Sequence, residues 1–189
     1  MIKSKAEYRE YVLADEKNYF KTKPTLKQRL FDDVWKYQVY LRKCEYLKNT
    51  RKFLPLILNI RYVYCKHKLK KLGYKLGFSI SENTIGKGLS IAHYGSIVVS
   101  PHARIGENCR IHVGVNIGMG ARGEGAPKIG NNVYIAPGAN LFGNIEIGNN
   151  CVIGANAVVN KSFPDGVTIG GVPAKVISDK DSSGIITVN

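Results

Sequence analysis

From Ile105 to Val159 an aliphatic residue recurs every six positions, at Ile105, Ile111, Ile117, Ile129, Ile135, Leu141, Ile147, Ile153 and Val159, with one beat replaced by a Gly-rich stretch. A fixed six-residue period signals a β-solenoid. Gly follows the aliphatic residue at Gly106, Gly118, Gly130, Gly148 and Gly154, and lets the chain turn a corner. Small or β-branched residues recur four positions after it, at Cys109, Val115, Val133, Ala139, Ile145, Cys151 and Ala157. Three hexads make one triangular coil of about 18 residues, and the inward aliphatics of successive coils stack at roughly the 4.7–4.9 Å spacing of neighbouring strands. Ile85, Ile91 and Ile97 carry the period upstream. Between Ile97 and Ile105 the phase slips by two, which a small insertion or a shared Val99 accounts for. The run from Gly118 to Lys128 is too polar and Gly-rich to line a core, so it is predicted to loop out, and such excursions are where solenoids carry function.

Charge divides the chain. Residues 1–77 hold 20 Lys and Arg against 7 Asp and Glu, a net of +13, whereas residues 78–189 hold 8 against 7. The expected organisation is a basic α-helical region (1–77), a solenoid (78–178) and a loose C-terminal tail (179–189). Ser4 and Glu7 form a capping box for a helix from Ala6 to about Lys17. After Pro24, Leu26, Leu30, Val34, Tyr37, Leu41 and Cys44 step by three or four and predict one helix. A further helix, about Pro55 to Leu72, begins apolar and ends in Lys66, Lys68, Lys70 and Lys71, with Gly73 and Gly77 breaking it. Its lysines either face water or hold the chain on an anionic membrane surface. No recognised nucleic-acid module accompanies the charge, so nucleic acid is not an expected partner.

The apolar cluster Phe53 to Ile60 is too short to span a bilayer, and the N-terminus lacks the apolar run of a signal peptide. Cys44, Cys65, Cys109 and Cys151 have no C-x-x-C spacing and read as reduced core residues of a cytoplasmic protein. No Cys, His or Asp set has ligand spacing, so no metal is expected.

His93 and His112 lie 19 residues apart, close to one coil, and should project from adjacent coils beside the Gly-rich loop. By position, His93 is a candidate catalytic residue and His112 an acceptor-site or structural one.

Four stretches then carry a resemblance: Gly88-Leu89-Ser90-Ile91-Ala92-His93-Tyr94-Gly95-Ser96-Ile97-Val98-Val99, Pro127-Lys128-Ile129-Gly130, Ile153-Gly154-Ala155-Asn156-Ala157-Val158-Val159, and Gly170-Gly171-Val172-Pro173-Ala174-Lys175. Residues 78–178 resemble the left-handed β-helix hexapeptide-repeat acyltransferases, in particular the serine acetyltransferase group and its relatives that O-acetylate surface polysaccharides. The resemblance implies a mainly β, left-handed parallel β-helix and a cytoplasmic homotrimer. It implies transfer of acetyl from acetyl-CoA to a hydroxyl, with His93 as general base. Imidazole suits the task because its ordinary pKa lies near neutrality, and such catalysis is worth roughly 10²–10⁴ in rate. Gly118, Met119 and Gly120 could supply oxyanion N–H donors. Ala155, Asn160, Lys161 and Lys175 match the positions that contact CoA.

The chain departs from authentic serine acetyltransferases at Ala92, where the group has Asp, and at Glu124-Gly125-Ala126, where it has Asp-Arg-His. The Asp that orients the group's histidine aligns with Phe78, leaving Glu82, a Ser or a backbone carbonyl for that role. The C-terminal Ile that docks in a sulfhydrylase is replaced by Val188-Asn189, so no such complex is expected. These losses point to a sugar hydroxyl of a surface polysaccharide or its precursor as acceptor. L-serine is the alternative, and a non-catalytic trimeric scaffold the reading of another class.

Overall fold

The structure, a computed structural model, describes residues 1–50 and 56–186, with side chains 56–59 outside that description. Pro55 and the start of the apolar cluster, at Phe53 and Leu54, therefore lie outside the described residues. Helix α1 (Lys5–Phe20) starts at the expected capping box, where Ser4 Oγ accepts the Glu7 N–H at 3.1 Å and the Glu7 carboxylate accepts the Ser4 N–H at 3.1 Å.

The single helix expected after Pro24 is two, α2 (Leu26–Phe31) and α3 (Asp33–Thr50). Asp32 divides them: its backbone is extended, and its Oδ1 accepts the Trp35 N–H at 3.0 Å, capping α3. Val34, Tyr37, Leu41 and Cys44 of the apolar stripe are buried, while Leu26 and Leu30 on α2 are exposed. Helix α4 (Leu56–Leu76) runs through Gly73 and stops only at Gly77, whose φ is +80°. Gly73 serves packing, because a Cβ there would lie 2.7 Å from the Phe78 carbonyl oxygen.

The hexads form a parallel coil with three faces, the left-handed parallel β-helix expected. On the first face lie β1 (Phe78–Ile80), β3 (Ile97–Val99), β6 (Asn116–Gly118), β9 (Asn140–Phe142) and β12 (Val158–Val159). The second holds β4 (Arg104–Ile105), β7 (Lys128–Ile129) and β10 (Glu146–Ile147). The third holds β2 (Ser90–Ile91), β5 (Arg110–Ile111), β8 (Tyr134–Ile135), β11 (Val152–Ile153) and β13 (Thr168–Gly171), closed by the antiparallel β14 (Ala174–Ser178). The inward Ile91, Ile111, Ile117, Ile135 and Ile153 are fully buried, as are Cys109 and Cys151 at the small position.

Register locates the phase slip. Val152 lies opposite Tyr134, 18 residues back, and Val99 opposite Ile117, again 18. Ser90, by contrast, lies opposite Arg110, 20 residues on. The two extra residues therefore precede Ile97 rather than follow it, in the corner 92–96, and Val99 holds the in-phase inward position.

Helices and coil are joined by a buried charge cluster. Arg42 Nε donates to Asp15 Oδ2 at 2.7 Å, Nη1 to Glu45 at 3.0 Å and to the Ile85 carbonyl at 2.8 Å, and Nη2 to the Gly86 carbonyl at 2.5 Å. Asp15 Oδ1 in turn accepts the N–H groups of Gly88 and Leu89 at 2.7 and 2.8 Å. The tail expected to be loose is anchored over its described residues 179–186: Ser182 is buried, donating its hydroxyl to the Asn132 carbonyl at 2.5 Å and its N–H to the Asn150 carbonyl at 3.1 Å. No described helix is long and apolar enough to cross a membrane.

Candidate active site

His93 stands on the lengthened corner, where the chain passes from the third face (β2) to the first (β3), and is exposed. The corner is tied to the end of α4: the Gly95 N–H donates to the Leu76 carbonyl at 2.8 Å and the Ile97 N–H to the Gly77 carbonyl at 3.0 Å. Only glycine fits at Gly95, because φ is +126° and a Cβ would lie 2.3 Å from Val113 Cγ2.

His112 comes one coil later on the same edge. The coil between them has 20 residues rather than 18, so His112 falls in register with Ala92, yet the two imidazole centroids are 6.2 Å apart. On its other side His112 packs against the Tyr134 ring at 4.9 Å. Among the described residues its buried Nε2 has no hydrogen-bond partner. Burial, with Arg110 and His93 nearby, pushes its pKa down to about 4, so this ring is neutral at physiological pH.

Beside His93 opens a cleft of about 460 Å³ whose far wall is helical, made by Tyr19, Asp32, Asp33 and Lys75, with Ala92 and Tyr94 on the solenoid side. Asp33 Oδ2 and Lys75 Nζ are 2.5 Å apart, and the bonds from Lys75 and Lys36 hold the Asp33 carboxyl below the usual carboxylate range. Asp32 Oδ2 accepts the Tyr19 hydroxyl at 2.9 Å, and burial with that bond raises the Tyr19 pKa. An opposed carboxylate and ammonium thus sit in the wall facing the imidazole. Nothing in the spacing of residues 19, 32, 33 and 75 gave a signal for this wall.

Other candidates are elsewhere. Glu82, offered as an acceptor-site or orienting residue, is half-buried between Lys48 at 3.2 Å and Lys66, and also accepts the Tyr62 hydroxyl. Burial pushes its pKa up, but the two ammonium groups outweigh it and hold the carboxyl low. It lines a different cleft from His93 and does not orient it. Phe78 is buried against the Tyr37 ring at 5.0 Å. Among the described residues His93 makes no hydrogen bond.

Gly118, Met119 and Gly120 open the excursion 119–127 on the next edge, between the first and second faces, so one chain does not bring them to its own His93. The Gly120 N–H is also spent on the Gly125 carbonyl at 3.0 Å, which removes it as an oxyanion donor. Ala155 shares the edge of His93 and His112, whereas Asn160 and Lys161 share the edge of the excursion. Lys161 Nζ lies 5.5 Å from the Phe163 ring centroid, and Lys175 is exposed on β14.

Residues 126–161 match the family described as bacterial transferase hexapeptide (six repeats). The chain is 43% identical over 95 residues to a serine acetyltransferase of Staphylococcus aureus, covering 49% of this chain and 45% of that one. It is 36% identical over 128 residues to a serine acetyltransferase of Staphylococcus epidermidis, covering 66% and 60%. It thus spans about half the length of the S. aureus relative. Among solved structures, serine acetyltransferase from Brucella abortus superposes with a TM-score of 0.76 at 25% identity, over 94% of this chain and 71% of that one. Soybean serine acetyltransferase complexed with serine superposes with a TM-score of 0.74 at 26% identity, over 91% and 70%.

Proposed function

We propose that this chain, which resembles serine acetyltransferases in its hexapeptide repeats and fold, is an acetyl-CoA-dependent O-acetyltransferase with His93 as general base. The observation that carries the reading is the exposed imidazole on a lengthened corner, facing an open cleft. His93 takes the proton of the acceptor hydroxyl as its oxygen attacks the thioester carbonyl. The tetrahedral intermediate then collapses, the C–S bond breaks, and the imidazolium returns the proton to the leaving thiolate. No covalent enzyme intermediate is needed.

Two edges of the prism divide the proposed machinery, which supports a homotrimer. One edge carries His93, His112 and Ala155, the other the excursion with Asn160 and Lys161. Setting the first edge of one copy against the second edge of the next completes a groove for CoA, in which Lys161 and Lys175 serve its phosphates. The Met119 N–H of the neighbouring copy then serves as the oxyanion donor.

Of the two acceptors the sequence leaves open, the relatives favour L-serine over a sugar hydroxyl. The Asp33–Lys75 pair supports the same choice, since a zwitterion wants opposed charges and the solenoid lacks them at Ala92 and at Glu124-Gly125-Ala126. A sugar is the second reading, favoured by the uncharged Ala92 beside the imidazole. The test measures thiol release from acetyl-CoA with L-serine and with a panel of sugars. Turnover is expected, greater with serine, and His93→Ala should lower kcat by about 10²–10⁴ while CoA binding is preserved. A folded protein that neither turns over nor binds CoA would leave only the scaffold.

A further inference from the structure

If α4 were an ordinary packed helix it would bury its apolar residues and turn its lysines to water. It does only half of this. Cys65, Leu69 and Leu76 are buried toward the rest of the protein, yet the opposite side exposes Ile60 by 60%, Val63 by 64%, Tyr64 by 56% and Tyr74 by 76%. At about 100° per residue these four, with the exposed His67 and Lys71, fall within about 60° of one line along the helix. Arg61 and Lys68 flank the stripe on one side and Lys70 on the other. Lys68 Nζ lies 5.4 Å from the Tyr64 ring centroid and Lys70 Nζ 5.5 Å from that of Tyr74. From Ile60 to Tyr74 the stripe is about 21 Å long. Helix α4 contains no Asp or Glu.

We propose that this outer face of α4 docks on an anionic lipid surface, with Ile60, Val63, Tyr64 and Tyr74 at the headgroup boundary and the flanking cations on lipid phosphates. The combination is that of an interfacial helix: an apolar and aromatic stripe for the boundary, and bordering lysines whose stems lie along it while their heads reach the phosphates. Charge complementarity selects this occupant. A second copy would set like charges against like, and residues 78–189, with 8 Lys and Arg against 7 Asp and Glu, carry no net negative charge to offset the basic face. Nucleic acid would satisfy the cations but leave Ile60 and Val63 with nothing to bury against. The proposal is independent of the acetyl-transfer reading.

The experiment pellets the full chain with vesicles of phosphatidylcholine alone and with about one third phosphatidylglycerol, at about 50 and about 500 mM salt. Binding is expected on the anionic vesicles only and should fall more than tenfold at the higher salt. Lys70→Glu with Lys71→Glu should lower partitioning by at least tenfold, at about fivefold per charge removed. Val63→Asp should lower it severalfold, while Lys180→Glu on the solenoid should leave it unchanged; thermal melting confirms that each variant is folded. No binding to anionic vesicles, or binding that Val63→Asp does not weaken, overturns the proposal. So does a doubling of the protein's mass in solution that Val63→Asp abolishes, which assigns the face to a second copy. Duplex DNA binding stronger than vesicle binding and indifferent to Val63→Asp overturns it as well.

Discussion

At His112 burial, more than any partner, sets the protonation state. The ring rests on Tyr134 with Nε2 enclosed and, among the described residues, unsatisfied, and its folded-state pKa of about 4 lies below the ordinary 6.5. The unfolded chain therefore binds this proton first as pH falls, so the ring's contribution to stability is complete above 6.5 and is lost toward 4. His112→Phe keeps the ring contact and removes the titration. Denaturant midpoints at about pH 7 and pH 4.5 should differ less in the variant than in the wild type, and equal differences would show that His112 does not contribute. That two histidines meet was legible in the sequence, because one coil nearly separates them. The Asp33–Lys75 wall opposite was not, because it arises from helices folding back on the first coil, a contact that no local period encodes.

Elements repeat the contrast between periodic and non-periodic information. The hexads predicted the strands and the inward residues, since every third hexad lies over another and burial enforces the match. They also showed that two residues were extra, but not on which side of Ile97, because both Ile97 and Val99 are buried and only hydrogen-bond register distinguishes them. In the helical region the apolar stripe ran across Asp32 without a break, and the aspartate cap decided otherwise. The join between helix and coil rests on Arg42, whose removal strands Asp15 and Glu45 in the interior. Arg42→Met is expected to cost about 3–5 kcal/mol in a denaturant titration, and a loss below about 1 kcal/mol would mean that water reaches the site.

For the whole molecule, the separation of His93 and Lys161 onto different edges makes a groove between copies testable by mixing. His93→Ala and Lys161→Glu chains, each impaired alone, should regain activity when co-assembled, because some grooves then draw both native residues from different copies. Assembly should show as a mass three times the chain's 20.9 kDa, and mixed assemblies no more active than their parents would confine the site to one chain. The lengthened bend at 92–96 has a consequence of its own. The strand before it keeps step with β5 and the strand after it with β6, so the added residues displace no other layer. Reach and preference at the reacting group can thus drift by insertion or deletion there over evolutionary time while the strands on either side keep their register.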